Sequence, residues 1–163
     1  MKHSTNPAGV LKSVLAVIAA CVLECSSGLA PAADTDPDKV DPCKLITQAE
    51  AQSALGMPVK PGQFIESMIY RFCSFRAVKG GPPYVSVRLF STDKASFDVI
   101  DPSQSERAIG TNLDAFFSKT YPVLSVWHAG NSLQIDVHFD DSTGIAGVKA
   151  AELKLAAIAV TRF

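Results

Sequence analysis

The chain has 163 residues, enough for one domain but short for two. Its 15 Lys and Arg nearly balance 16 Asp and Glu, for a formal net charge of −1, and no segment carries a run of one sign. Because nucleic acids and anionic lipid surfaces attract clustered basic residues, we expect no nucleic-acid partner.

The N-terminus has the three parts of a secretion signal. Lys2 and Lys12 form a positive region, Val14 to Leu23 an apolar region, and Ala30-Pro31-Ala32 a cleavage site of the Ala-x-Ala type. The apolar region, at about ten residues, is half the length that crosses a bilayer, and no later segment approaches that length. The sequence therefore predicts a signal peptide over 1–32 and an extracytoplasmic chain, periplasmic or secreted, with no transmembrane segment after signal removal.

A second interpretation of the same segment stays open. Ile18-Ala19-Ala20-Cys21 fits the lipobox at which bacterial lipoproteins are cut and acylated on Cys21. Cleavage after Ala32 leaves an even pair of cysteines, whereas cleavage at Cys21 also keeps Cys25 without an evident partner. The cysteine count favours the soluble chain, and a lipid anchor through Cys21 is the alternative.

Helical and strand patterns alternate along the rest of the chain. Residues 33–42 are acidic and interrupted by proline, which predicts a flexible leader before a single domain over 43–163. Thr47-Gln48-Ala49-Glu50 is a capping box that begins a helix over 47–55. Strands are predicted over 68–78 and 84–91. In the second strand Val85, Val87 and Leu89 point one way, while Ser86 and Arg88 point the other.

The later predicted elements are a short helix from Thr92 or Asp93 to Ile100, a polar loop to Gly110, and a helix over 145–161 with Lys149 and Glu152 facing water.

The clearest local prediction is a β-hairpin around Gly130-Asn131, a pair that suits a two-residue turn. Its strands cover 123–129 and 132–139. The register implied by this turn sets Ala129 opposite Ser132 and Ser125 opposite Asp136. Together the elements predict an α+β fold, with an antiparallel sheet of about five or six strands and helices packed mainly on one face.

Cys43 and Cys73 are the two thiols that remain once the signal is removed. An exported domain of this size is a setting in which such a pair oxidises. A redox-active or metal-binding pair is the competing interpretation, but the spacing is not that of a C-x-x-C motif and no histidine lies nearby in the sequence. We therefore predict one structural disulfide between Cys43 and Cys73.

The segment 41–50, followed by Leu55-Gly56, resembles the opening of a family of exported bacterial domains of unknown function, many of them lipoproteins. Members begin C-x-L-(L/I)-T-x-A-E and continue to Leu-Gly. Later points of similarity are Cys73 in an aromatic strand, Gly110 with 114–117, the Gly130 hairpin and the closing segment 157–162. The resemblance implies an envelope-located α+β domain with a bridge from Cys43 to Cys73, and it supplies no catalytic residues.

The hairpin contains one set of residues of the types found in catalytic triads. Its register places Ser125, Asp136 and His138 on one face, and these residue types elsewhere form a nucleophile, an orienting acid and a base. The predicted register does not put the histidine between the other two, and no G-x-S-x-G motif is present. A small hydrolase is therefore the alternative to a non-catalytic domain.

Other polar residues give no site. His128 and His138 alternate to opposite faces of the hairpin, and Asp140-Asp141 lacks the alternating oxygen ligands of a calcium loop, so we predict neither a metal nor a cofactor. Most aromatic side chains are expected in the core. The outward ones of the first hairpin are the candidates for a surface that binds a small molecule or an envelope protein: Tyr70, Phe72, Tyr84 and Phe90.

Overall fold

The structure is a computed structural model that describes residues 36, 39–67, 70–99, 103–140 and 144–163. The predicted signal peptide with Cys21, and part of the predicted leader, lie outside these residues. Within the leader, Val40 packs against the core, and Pro42 is buried at the start of a short 3-10 helix, Pro42–Lys44.

An antiparallel sheet lies at the centre of the fold, which is α+β as predicted. The described residues contribute seven strands, one or two more than expected: β1 Gln63–Glu66, β2 Arg71–Arg76, β3 Tyr84–Phe90, β4 Ser105–Arg107, β5 Asp114–Ser118, β6 Val123–His128 and β7 Asn131–His138. Their order in the sheet is β1-β2-β3-β7-β6-β5-β4. No strand was predicted at β1, β4 or β5. The outermost two, β1 and β4, are too short to show alternating apolar residues.

Three α-helices accompany the sheet in the described part of the chain: α1 Gln48–Leu55, α2 Lys94–Asp98 and α3 Ile145–Ala159, the last continuing as a 3-10 helix over Val160–Arg162. The predicted capping box is present, since the Thr47 hydroxyl accepts from the Glu50 amide and the Glu50 carboxylate accepts from the Thr47 amide. Gly56 ends α1 with a left-handed φ of 68°. The loop predicted to run to Gly110 contains β4 instead.

The core lies between one side of the sheet and the helices α1 and α3. Val85, Val87 and Leu89 alternate along β3 toward this side, as predicted, and pair across to Val137, Ile135 and Leu133 of β7. The helices contribute Ala51 and Leu55 from α1 and Leu155, Ala156 and Ala159 from α3, all buried. The shorter helix α2 lies over the other side, where Phe97 contacts Phe116 of β5 and Trp127 of β6.

The predicted disulfide is confirmed. Cys43, in the 3-10 helix before α1, bonds Cys73 of β2 with an Sγ–Sγ distance of 2.04 Å and a Cα–Cα distance of 4.9 Å. Cys73 is fully buried. The bridge therefore ties the segment that leads into α1 to the core side of the sheet.

The second hairpin forms, but its predicted register was wrong by two residues. The turn residues are Ala129 and Gly130, with φ of 46° and 81°, rather than Gly130 and Asn131. Ser125 consequently pairs with Gln134 instead of Asp136. Because side chains alternate with period two, a shift of two residues leaves every side chain on its predicted face.

Glu152 is buried, which corrects its predicted place on the solvent side of the last helix. It is 0% exposed, in a stripe with Val148, Leu155 and Ala156, and its Oε1 accepts a hydrogen bond of 3.1 Å from the Val137 amide. Val137 lies one residue beyond the last β6–β7 pair. Burial, followed by the nearby charge of Asp136, raises the pKa of Glu152 to about 8. The carboxyl is therefore protonated at neutral pH.

The two ends of the domain meet at an ion pair. The Arg162 guanidinium, after α3, donates from Nη1 and Nη2 to the two carboxylate oxygens of Glu50 in α1, each at 2.7 Å. Nη1 also donates to the Leu45 carbonyl at 3.1 Å. Hydrogen bonds from Arg162, in the first place, lower the pKa of Glu50 to about 2. The chain terminus is thus held against α1.

Gly62, just before β1, packs directly against the disulfide. A Cβ at this position would lie 2.7 Å from Cys73 Sγ and 2.7 Å from Phe75 Cε1. We expect Gly62→Ala to lower the free energy of unfolding by about 1–3 kcal/mol, measured by urea titration without reductant, because the core must shift to accept the methyl group. Gly144→Ala is the matched control, since its Cβ would meet no atom of the described residues within 4 Å. An equal loss in both variants would contradict the close packing.

The buried carboxyl of Glu152 makes stability depend on pH. Between the ordinary glutamate pKa of 4.5 and the folded value of about 8, the folded state holds a proton that the unfolded chain has released. The free energy of unfolding should therefore fall as pH rises through this window, by up to about 1.4 kcal/mol per pH unit. Glu152→Gln, which mimics the protonated acid, should remove that part of the slope in denaturation curves from pH 5 to 8. An unchanged slope in the variant would contradict the assignment.

Candidate functional site

The side of the sheet opposite α1 and α3 carries polar and aromatic side chains. Phe72 of β2 pairs with Arg88 of β3, Arg88 with Gln134 of β7, and Gln134 with Ser125 of β6. Residues directly opposite each other in antiparallel strands share a face, so these four form one row across the sheet. We call this surface the Arg88 face, and its members are Tyr70, Phe72, Tyr84, Arg88, Phe90, Ser125, Ser132, Gln134, Asp136 and His138.

Two of the four predicted binding residues contact Arg88, and a third, Phe90, contacts one of those two. The Arg88 Cζ atom lies 5.7 Å from the ring centroid of Tyr70 and 5.6 Å from that of Phe72. The Tyr70 ring in turn lies 5.7 Å from Phe72 and 6.3 Å from Phe90. The two Arg88 distances are within the range of cation–π attraction, and the two ring–ring distances are within that of aromatic pairs. The result is a half-buried aromatic cluster around one guanidinium.

The fourth predicted residue, Tyr84, joins the same cluster through Asp136. The Tyr84 hydroxyl donates to Asp136 Oδ2 at 3.0 Å, and the same oxygen lies 3.8 Å from Arg88 Nη2. Burial first, and then the Asp136 charge, raise the pKa of Tyr84 to about 12. The His138 ring stacks on Tyr84 at 5.2 Å. Asp136 thus links the two halves of the Arg88 face.

The Arg88 guanidinium keeps donors that the described protein groups do not use. Its 3.8 Å contact with Asp136 is longer than a hydrogen bond, and its Nε has no hydrogen-bond partner among the described residues. One third of the side chain is exposed. A partly exposed guanidinium between aromatic rings suits a carboxylate or another planar acceptor.

A cavity of about 280 Å³ opens on the Arg88 face beside α2. Its lining comes from the end of β3, from α2 and from the paired strands β6 and β7. The lining residues are Phe90, Ser91, Thr92, Ser96, Phe97, Ser125, Ser132 and Gln134. Phe97 is buried against Phe116 and Trp127, with ring centroids at 5.4 and 5.7 Å, so this wall is fixed by packing.

The structure does not bring the residues of the alternative hydrolase together. Ser125 Oγ accepts a hydrogen bond of 3.3 Å from Gln134 Nε2. Gln134 is four residues from His138, or about 13 Å along a strand. Ser125 lines the cavity beside α2, whereas Asp136 and His138 line a separate cavity of about 280 Å³ near the start of α3. A nucleophile–base pair needs hydrogen-bond contact, which this arrangement lacks.

The remaining candidates stay apart as well. His128 contacts the Phe163 ring edge-on at 6.0 Å, on the opposite side of the sheet from His138. Among the residues that the structure describes, no group of three or more His, Cys, Asp or Glu side chains lies close enough to hold a metal ion. Of the acidic pair considered for calcium, Asp141 lies outside the described residues.

Sequence reasoning named the aromatic residues but not the charged groups between them. The alternation of apolar and polar residues along β3 predicted that Arg88 faces away from the core. This was the one signal in the sequence that pointed to Arg88. Its contact with Asp136 depends on the adjacency of β3 and β7, which are 40 residues apart along the chain and whose pairing the sequence does not encode locally.

No protein-family model, curated protein or solved structure matches the chain. The resemblance of the segment 41–56 to exported bacterial domains therefore stays a prediction. In the part of the chain that the structure describes, no helix has the length and apolar character needed to cross a membrane.

Proposed function

We propose that this chain is an exported, extracytoplasmic binding domain without catalysis of its own, and that its Arg88 face takes a small molecule or an envelope protein. The observation that carries the proposal is the contact of the partly exposed Arg88 with Tyr70 and Phe72, which Phe90 extends through Tyr70. Aromatic and arginine side chains dominate the energetics of binding surfaces.

The electrostatics of the Arg88 face also favour a binding role. Asp136 is only 11% exposed and contacts a guanidinium that it does not fully pair. Burying charged groups costs free energy that apolar packing avoids, so such a cluster is poor evidence for stability alone. A role in ligand binding accounts for the Arg88–Asp136 cluster better than a role in stability does.

Export is supported by the N-terminal pattern and by the disulfide. Disulfides persist in oxidising compartments and are rare in the cytosol. Cleavage after Ala32 gives a soluble periplasmic or secreted domain. Cleavage at Cys21 gives a lipid-anchored envelope lipoprotein with the same folded domain, and this remains the alternative for its localisation.

The binding role can be tested by mapping probes onto the isotope-labelled protein by NMR. Benzoate, acetate and N-acetyltyrosine amide offer a planar anion, a small anion and an uncharged aromatic group. We expect at least one of them to shift the resonances of Tyr70, Phe72 and Arg88 saturably, because the guanidinium and rings are partly exposed. Arg88→Gln should weaken that binding about tenfold, the loss of one charge-assisted hydrogen bond.

Arg107→Gln is the matched control. Arg107 also lies over an aromatic ring, 4.6 Å from Phe116, but it is 60% exposed and ion-paired with Asp114. This variant should bind the probe like the wild type. Shifts confined to the α1 and α3 side, or binding that survives Arg88→Gln unchanged, would refute the proposed site.

A further inference from the structure

We infer that the cavity beside α2 binds an uncharged, polyhydroxylated ring, that is, one sugar unit of a glycan. The inference rests on the proposed binding role of the Arg88 face and names the class of ligand. It comes from the polar groups that converge on this cavity and from the absence of charge among its described lining residues.

The polar lining consists of hydroxyl groups and one amide. Five hydroxyl side chains and Gln134 face a volume of about 280 Å³, between the aromatic rings of Phe90 and Phe97. Ligand cavities commonly span about 300–1,000 Å³, so this one suits a single ring rather than a chain of several. An ion of either sign would find no opposite charge among the described side chains that line it.

Ser132 supplies one of the hydroxyl groups of the lining. It is 6% exposed and lines the cavity, and its Oγ is not among the buried polar atoms that lack a hydrogen-bond partner in the described part of the chain. A hydroxyl both donates and accepts, so this position suits a ligand hydroxyl.

Ser125 and Gln134 complete the pattern of donors and acceptors. The Gln134 amide group donates to Ser125 Oγ at 3.3 Å, which orients both side chains. That bond leaves the Ser125 hydroxyl proton and the Gln134 carbonyl oxygen for other partners. A sugar hydroxyl both donates and accepts, so adjacent hydroxyls of one ring can satisfy the two groups together.

The aromatic walls fit the rest of a sugar ring. A pyranose has a rim of hydroxyls and a face of C–H groups, and the C–H face packs against aromatic rings. Phe90 is half-buried and lines the cavity, so its ring is the apolar surface available to a sugar. Phe97, which is 3% exposed and packed against Trp127, leaves little of its ring for contact. A wholly apolar ligand would instead leave Ser132 and Gln134 unpaired, which disfavours that class.

The fluorescence of Trp127 reports sugar binding directly. Trp127 is the sole tryptophan of the chain and pairs with Ser132 across the strands. Methyl β-glucopyranoside, methyl β-galactopyranoside and N-acetylglucosamine are the probes, and glycerol at equal mass concentration is the control for solvent effects. We expect at least one sugar to change Trp127 fluorescence saturably with a millimolar Kd, as for a ligand of about a dozen heavy atoms. Glycerol should give no saturation.

Two variants test the site itself. Ser132→Ala and Gln134→Leu should each weaken sugar binding at least threefold, measured by the same titration. Ser86→Ala is the matched control: Ser86 is 2% exposed, on the same side of the sheet, with an unpartnered Oγ among the described residues, and outside this cavity. It should bind like the wild type. Should Gln134→Leu fail to fold, Ser132→Ala alone decides.

The outcomes distinguish a failure of the sugar site from a failure of the proposed binding function. Absence of a saturable signal with all three sugars, or unchanged affinity in Ser132→Ala, overturns the sugar site. If benzoate, acetate or N-acetyltyrosine amide still shifts Arg88 in that case, the proposed binding function stands without it. If no probe of either kind perturbs any residue of the Arg88 face, both proposals fail.

Discussion

The Cys43–Cys73 disulfide is the constraint on which the arrangement of the domain depends. It holds the segment before α1 against β2 and closes a loop of 30 residues, which is worth about 3–4 kcal/mol in the chain-entropy account. Small domains have only about 5–15 kcal/mol of net stability, so this contribution is large. The helices α1 and α3 pack on the same side of the sheet, and Arg162, after α3, bonds Glu50 of α1.

The helices α1 and α3 cover one side of the sheet, so the polar side chains lie on the other side. Alternation along β3 and β7 sends Arg88, Gln134 and Asp136 away from the core, where cross-strand pairing makes them neighbours of aromatic residues. The short helix α2 covers part of this side and forms one wall of a cavity. This side of the sheet therefore carries a guanidinium, aromatic rings and a hydroxyl-lined cavity.

Local signals predicted the elements well, and tertiary effects account for the failures. The capping box at Thr47 and the alternation in β3 were both read correctly. The second hairpin was predicted in the wrong register because Ala129, a residue that rarely adopts positive φ, occupies the turn. Glu152 was placed in water because an Ala-rich helix offers several apolar stripes, and contact with the Val137 amide selects the one that includes it. The aromatic part of the site was predictable, but its link through Asp136 required the sheet order.

The most direct test of the disulfide, and of the proposed export, uses protein recovered from the cells that produce it. The material is denatured without reductant, treated with a thiol reagent and mapped by peptide mass. We expect Cys43 and Cys73 in one disulfide-linked peptide pair and an N-terminus at Ala33, or at an acylated Cys21. Recovery of both cysteines in alkylated form, on a chain that still begins at Met1, would contradict the pairing and the export together.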